Sequence, residues 1–464
     1  MIKKQPKPKG PFANPKGMRD IIGDDYYRYQ GFFEKAQEIA VYYGFKPIET
    51  PMLEKEDVFT SGVGEDTDIV QKEMYTLKTK GGDKLVLRPE ATASIVRAYI
   101  QHGMQSLPQP VMFYYYGPLF RHERPQRGRF REHYQFGLEI LGTSKSVADA
   151  LIIQTIVTIL KEVGFSDLTV CVNSLGDKES RSAYVKELVS YYRKHAGKLC
   201  THCRERLKTN PLRLLDCKEE KCWTLKAGAP ESVTYLTPDS KKHFKEVLEY
   251  LESMNIPYTI DSTLVRGLDY YSQTVFEIMD STGPKETTAP ENTEQSENNT
   301  DSVKDTADTV NKEPDDAEPK ALAIAGGGRY DSLARQLGSK KDIPGVGAAI
   351  GVDRLLMQKY VKDIMPKIFK KPKVYFVQLG FEAKLKSLPI LETLRKAKIP
   401  IMQGLAKDSI AAQLATAEKL NIPTVLIFGQ KEAMSNTVIV RKLDTRSQDT
   451  VSIDNLPAYL KKLK

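Results

Sequence analysis

Residues 24–45, DDYYRYQGFFEKAQEIAVYYGF, repeat aromatic and aliphatic positions at helical spacing and stop at Gly44. That predicts an amphipathic helix with a glycine stop. KPIETPMLE then reads as a short strand broken by prolines. KLVLRPEATASIVRAYIQHG predicts a strand, a turn at Arg88-Pro89 and a helix, and DALIIQTIVTILKEVGF a second amphipathic helix before the strand LTVCVNSLG. Residues 177–260 predict an inserted, mostly helical module. STLVRGLDYYSQTVFEIM predicts a strand, ALAIAGGGRYDSLARQLG a strand, a glycine turn and a helix, and IPGVGAAIGVDRLLMQKY a glycine-rich strand or turn leading into a helix. From Lys373 the pattern changes: KVYFVQLG, IPIMQG, IPTVLIFG and TVIVRKL are short apolar strands alternating with helical stretches such as DSIAAQLATAEKLN. The chain therefore divides into a larger body at 1–372 and an α/β domain at 373–464.

The least ordinary stretch is FRHERPQRGRFREHYQFGLE, residues 120–139, which carries five arginines, two histidines and three glutamates. Its flanks, VMFYYYGPL and FGLEILG, read as buried strand, so the whole predicts a hairpin turning at RPQRGR. Side chains alternate faces along a strand. Arg131, His133, Gln135, Gly137 and Glu139 then share one face, which Arg121 and Glu123 join from the incoming strand. Phe130, Tyr134, Phe136, Leu138 and Ile140 share the apolar face. Guanidinium forks bind phosphate and carboxylate oxygens bidentately and stay charged. Such a face suits a polyphosphate beside a small zwitterion; an exposed, salt-bridged ribbon is the plainer reading.

Charge changes the picture next. The net charge is +9, yet residues 281–320 contain 11 acids and 4 lysines, so the remaining 424 residues carry +16. A body that basic favours a polyanion such as nucleic acid. The acidic stretch has no aromatics or periodicity and predicts a disordered surface loop. There is no apolar run of about 20 residues and no apolar stretch after the basic start, which predicts a cytoplasmic protein with reduced cysteines. The phosphate-binding GxxxxGK[ST] motif, HExxH and a Ser-His-Asp arrangement are all missing from the sequence. Cys200-x2-Cys203 and Cys217-x4-Cys222 have near-zinc spacing, leaving zinc or four reduced thiols open. Cys171 sits in a strand.

FRHERPQRGRFREHYQFGLEILG resembles motif 2 of class II aminoacyl-tRNA synthetases, and more narrowly that of histidyl-tRNA synthetases. In the same order, YGFKPIETPMLE is similar to motif 1, LRPEATASIVRAY to the segment that contacts histidine, LVRGLDYYSQTVFE and AGGGRYDSL to the two histidine signatures, and GVGAAIGVDRLL to motif 3. The resemblance covers the chain from about Pro15 onward. It implies an α+β catalytic domain on an antiparallel sheet flanked by helices, a C-terminal anticodon-binding domain, and a homodimer joined through motif 1. It implies activation of L-histidine with MgATP and transfer to tRNA-His, with ATP and Mg2+ as cofactors.

The resemblance also implies roles. Arg121 and Arg266 are the catalytic cations at the α-phosphate. Glu90, Ala91, Thr92, Arg121, Gln135, Glu139, Arg266, Tyr270 and Tyr271 bind histidine. Arg121, Glu123, Arg131, His133 and Arg354 bind ATP, and Arg127 and Arg129 meet the tRNA. Gly326 to Gly328 let backbone approach the substrate, with Tyr330 following. Arg266 could instead form a structural ion pair with Asp269. The family has phenylalanine where His133 stands, and a histidine there could titrate as well as stack. Two other readings are a non-catalytic relative, such as the regulatory subunit of ATP phosphoribosyltransferase, and an RNA-binding module with a dead site.

Overall fold

In the computed structural model the residues described are 12–125, 128–217, 219–280, 323–358, 361, 364–405 and 408–463. The acidic stretch 281–320 and Arg127 lie outside them. Val111–Phe120 and Glu132–Leu141 pair antiparallel, with Tyr116 opposite Phe136, so the arginine-rich stretch is the turn of a hairpin. Phe136, Leu138 and Ile140 are buried in a core that they share with the helices Asp24–Tyr42, Ser146–Glu162 and Pro238–Ser253. Six non-polar residues in the helix Ser146–Glu162 alone (Ile152, Ile153, Ile156, Val157, Ile159 and Leu160) face that sheet. Alternation along the strands and 3.6-residue periodicity along the helices thus meet in one layer.

The hairpin belongs to an eight-stranded sheet. Its spatial order is Lys46–Pro47, Val111–Phe120, Glu132–Leu141, Gly345–Gly351, Ala323–Arg329, Ser272–Asp280, Leu168–Ser174 and Tyr258–Ile260. All neighbours are antiparallel except the two edge strands, which run parallel to their partners. The opposite face carries a second core, where Phe59, Val63, Ile95, Val96 and Tyr99 pack with Tyr270, Tyr271, Tyr330 and Leu333. A three-stranded sheet, Leu53–Lys55, Lys84–Leu87 and Tyr75–Lys78, stands on that side.

Two element expectations change. The glycines of AGGGRYD lie inside the strand Ala323–Arg329 rather than in a turn, because flanking strands pair with them on both sides. The strand predicted from Ser262 starts only at Ser272; Arg266, Tyr270 and Tyr271 sit in the irregular segment before it. The inserted module contains Lys178–Lys194, Thr201–Thr209, Glu220–Lys226 and Pro238–Ser253.

The chain separates into two compact units, 1–366 and 367–464. The second has its own sheet, ordered Ile401–Gln403, Val374–Gln378, Thr424–Phe428, Thr437–Lys442 and Gln448–Ser452, with the first three strands parallel. Val374, Phe376, Leu426 and Phe428 form its core with the helix Phe381–Lys396. Among the described residues no helix is long and apolar enough to cross a membrane.

Candidate active site

At the Arg88-Pro89-Glu90 turn the chain enters the helix Thr92–Gln101. The buried Glu90 carboxylate accepts hydrogen bonds from the Thr92 and Ala93 backbone N–H groups, at 2.8 and 2.7 Å. An anion satisfies donors that a helix start otherwise leaves unpaired. The Thr92 hydroxyl donates to Glu139 at 2.7 Å, and the Tyr330 hydroxyl donates to the other Glu139 oxygen. The Tyr270 hydroxyl lies 3.4 Å from Glu90. Tyr270 packs tilted against Tyr271 and meets Tyr330 edge-on, with centroids 4.7 and 5.7 Å apart. So two carboxylates and three phenols share a buried layer between the sheet and the helix.

Burial governs the charge of that layer. It pushes Glu139 up to about 8, against the two hydroxyl donors that favour the anion. It also raises Glu90, opposed by the Ala93 and Thr92 amides and by Arg121. Space for Glu139 comes from Gly347 on the next strand, where a Cβ would stand 1.7 Å from a Glu139 oxygen. Any side chain there would evict the carboxylate.

Next to this layer opens a cleft of about 1020 Å³ whose wall includes Arg121, Glu123, Arg129, Phe130, His133, Gln135, Arg266, Glu277 and Arg354. Arg121 is aimed by its Nε, which donates to the Pro89 carbonyl at 2.9 Å; Nη1 stands 3.9 Å from Glu123. Arg129 sits 3.3 Å from the same carboxylate. Arg354, on the short helix Val352–Leu356, donates to the Ala323 carbonyl at 3.1 Å. Its pKa is depressed by burial and by Arg129 and Arg121 beside it. Glu123 and Glu277 oppose that shift.

Arg266 is half-buried and pairs with Glu277, not with Asp269. Asp269 instead accepts from Asn210 Nδ2 at 2.6 Å, while its carbonyl accepts from Arg181. Burial disfavours the Arg266 cation, but Tyr271 and Glu277 outweigh it and raise its pKa. The Arg266 Nε is buried and has no hydrogen-bond partner among the described residues. In the glycine run, a Cβ on Gly326 would stand 2.7 Å from Arg266 Nη1, and one on Gly328 would stand 2.9 Å from the Tyr271 ring. These glycines make room for Arg266 and Tyr271, and Gly326 also lines the cleft.

Three hairpin expectations also change. Arg131 is not part of the cleft wall. The ladder with the incoming strand begins at Glu132, and Arg131 is held outside it: its N–H donates to the Gly17 carbonyl at 2.8 Å and its Nε to the Glu123 carbonyl at 3.1 Å. Phe130 likewise leaves the apolar face; it lines the cleft, and Arg19 lies over its ring at 3.9 Å. His133 does not titrate near neutrality. Burial, then Arg121 and Arg354, push it down to about 3, so the ring is neutral.

Two participants were missed in the sequence. Glu277 lies in the quoted signature, and two-residue alternation from Val275 could have found it. Arg19 bonds to Asp353 and Tyr29; no local pattern marks it, because its partners lie far along the chain. The four cysteines converge in the inserted module, with all sulfurs within 4.8 Å of one another.

Comparison with known proteins agrees with this geometry. The family profile described as histidyl-tRNA synthetase matches residues 17–287, and that described as anticodon binding domain matches residues 373–463. A protein named histidine–tRNA ligase from Dehalococcoides mccartyi is 38% identical over 97% of this chain and 99% of its own length. One of the same name from Caldicellulosiruptor bescii is 38% identical over 96% of this chain and 98% of its own. The crystal structure of apo S. aureus histidyl-tRNA synthetase superposes with a TM-score of 0.74 at 30% identity, covering 97% of this chain and all of that one.

Proposed function

The chain belongs to the histidyl-tRNA synthetase family, and from that membership we propose how its cleft and buried polar layer divide the reaction. The protein is a histidine–tRNA ligase. Histidine and MgATP give histidyl-adenylate and pyrophosphate, and the histidyl group then passes to the 3′ end of tRNA-His. The observation that carries our division of labour is adjacency: a layer of carboxylates and phenols borders a wall of arginines.

The layer suits the amino acid. Glu90, Thr92 and Gln135 receive the ammonium, with Ala91 backing them. Glu139 and Tyr271 take the two imidazole nitrogens, and Tyr270 closes the pocket. A site that hydrogen-bonds both nitrogens rejects side chains that lack them, by far more than shape alone does. Arg121 and Arg266 hold the carboxylate and α-phosphate. The carboxylate oxygen attacks the α-phosphorus and pyrophosphate leaves, so no protein nucleophile is required. Catalysis is positioning plus charge aimed at the phosphoryl oxygens. The position of Arg266 in the cleft wall, oriented by Glu277, supports its place there. Arg354 neutralises the far phosphates, whose magnesium arrives with the ATP. Glu123 and the neutral ring of His133 flank the adenine.

Arg127 and Arg129 meet the acceptor end of the tRNA, and the unit at 373–464 reads the anticodon. A homodimer and a cytoplasmic site of action belong to the same proposal. The dimer draws support from Met52 and Leu53, exposed apolar residues that follow the edge strand Lys46–Pro47 in the chain. The regulatory-subunit reading predicts loss of the arginines and of the C-terminal unit, and both are present.

ATP–pyrophosphate exchange with each amino acid in turn tests the pocket. Exchange with histidine alone is expected, and none with any amino acid would overturn the assignment. Arg266→Ala should lower adenylate formation about 10²- to 10³-fold while leaving tRNA affinity nearly unchanged. Equal loss of both would make Arg266 structural.

A further inference from the structure

The inserted module has a core of its own: Tyr184, Leu188, Tyr192, Leu199, Leu212, Leu214, Leu215 and Leu225 surround Cys200, Cys203 and Cys222. Burial alone is ordinary for free thiols; what stands out is that these three lie together, with a fourth, Cys217, at their edge. None is in a disulfide. We propose that Cys200, Cys203, Cys217 and Cys222 form a structural zinc site, on which the substrate roles assigned above do not depend.

The geometry carries the proposal. Tetrahedral zinc with Zn–S bonds of about 2.3 Å sets its sulfurs about 3.8 Å apart. Here Cys200 Sγ and Cys217 Sγ are 3.9 Å apart, and all four sulfurs lie within 4.8 Å of one another. Two disulfides would need separations near 2 Å within pairs. The backbone is also arranged for thiolates. The Cys203 N–H points at Cys200 Sγ at 3.3 Å, and the Cys200 N–H at Cys222 Sγ at 3.2 Å. Cys200 is the N-cap of the helix Thr201–Thr209, with its sulfur in the accepting place. A neutral thiol is a weak acceptor for that position, whereas a metal-bound thiolate is an anion at a helix N-terminus. Binding would release the thiol protons and leave a doubly negative centre, among the sequence neighbours Lys198, Arg204, Lys208 and Lys221.

The ligand pairs bracket the part of the module that borders the cleft. Between them, Arg206 and Arg213 reach Asp68 at 3.1 and 2.6 Å, and Asn210 reaches Asp269, next to Tyr270. A metal that ties Cys200 and Cys203 to Cys217 and Cys222 would fix these three contacts together. Its role is therefore to hold one wall of the cleft, away from the reacting atoms.

The test is metal content of the full-length protein, made with zinc in the medium and purified without chelator. About one zinc per chain with an all-sulfur shell in X-ray absorption is expected. Substoichiometric zinc after such preparation, with four thiols that react freely or with two disulfides found by mass spectrometry, would overturn the site. Cys217→Ser is the milder variant, since Cys217 is the half-exposed ligand. It should lose zinc to EDTA far faster than the parent and melt at a lower temperature. Retention equal to the parent's would also overturn the four-cysteine site.

Discussion

Arg329 and the arginines of the cleft wall live under opposite rules. Arg329 ends the strand Ala323–Arg329 and is fully buried. It binds Asp149 through two nitrogens, Asp331 at 3.2 Å, and the Thr143 and Lys145 carbonyls at 2.9 and 3.2 Å. Its charge is answered wholly by the protein. Arg121, Arg129 and Arg354 line the cleft wall nearby with Glu123 as their shared carboxylate, and Arg266 has Glu277. Burial first, and then Arg129 and Arg121, lower the Arg354 pKa, with Glu123 and Glu277 opposing the shift. Charge that the fold neutralises itself is scaffold, and charge left short is where a ligand anion belongs.

Breaking Arg329 should have the largest effect on stability. Arg329→Ala leaves the buried Asp149 carboxylate facing His243 at 3.4 Å in place of a guanidinium, an expected loss of about 3–5 kcal/mol, read from denaturant midpoints. Arg121→Ala should leave the midpoint within about 0.5 kcal/mol, yet abolish most pyrophosphate exchange. If both variants unfolded alike, the contrast would fail.

A smaller effect sharpens the same contrast from the carboxylate side. The folded pKa of Glu139 is raised to about 8, above its unfolded value. Its ionisation therefore costs the folded state stability as pH rises towards 8, and costs nothing at low pH where both states are protonated. Glu139→Gln should raise the melting temperature more at pH 8 than at pH 5, while histidine-dependent exchange collapses. A gain that did not grow with pH would show that the carboxylate is already ionised or compensated. The smallest effect is expected at His133. Since its ring is neutral, His133→Phe should change the KM for ATP only a few-fold, and by the same factor at pH 6 and pH 8. A pH-dependent difference would mean that the ring does gain a proton.

Much of this was legible in the sequence because it depends on local periodicity. Alternation in 132–141 placed Phe136, Leu138 and Ile140 in the core and Gln135 and Glu139 on the polar side. Alternation failed where the strand ended, so Arg131 and Phe130 were misplaced. The Arg266 partner was misjudged because Asp269 is near in sequence, whereas Glu277 is brought close by the turn into Ser272–Asp280. AGGGRYD looked like a turn because three glycines usually mark one. Only the packing of Arg266 against Gly326 and Tyr271 against Gly328 explains them inside a strand. Contacts such as Arg19 with Asp353 depend on tertiary closure and leave no local signature.

The order of strands in the large sheet has a consequence for synthesis of the chain. The last two strands of this sheet to leave the ribosome, Ala323–Arg329 and Gly345–Gly351, occupy its middle, between strands made earlier on both sides. Until they arrive, Glu132–Leu141 and Ser272–Asp280 are open edges that invite wrong partners. Arg121 and Glu139 belong to one half and Arg266 and Glu277 to the other. A nascent chain therefore cannot bring Arg121 and Arg266 to one cleft before about residue 351 is out. The seam between the two halves of the cleft is also the last seam of this sheet to close.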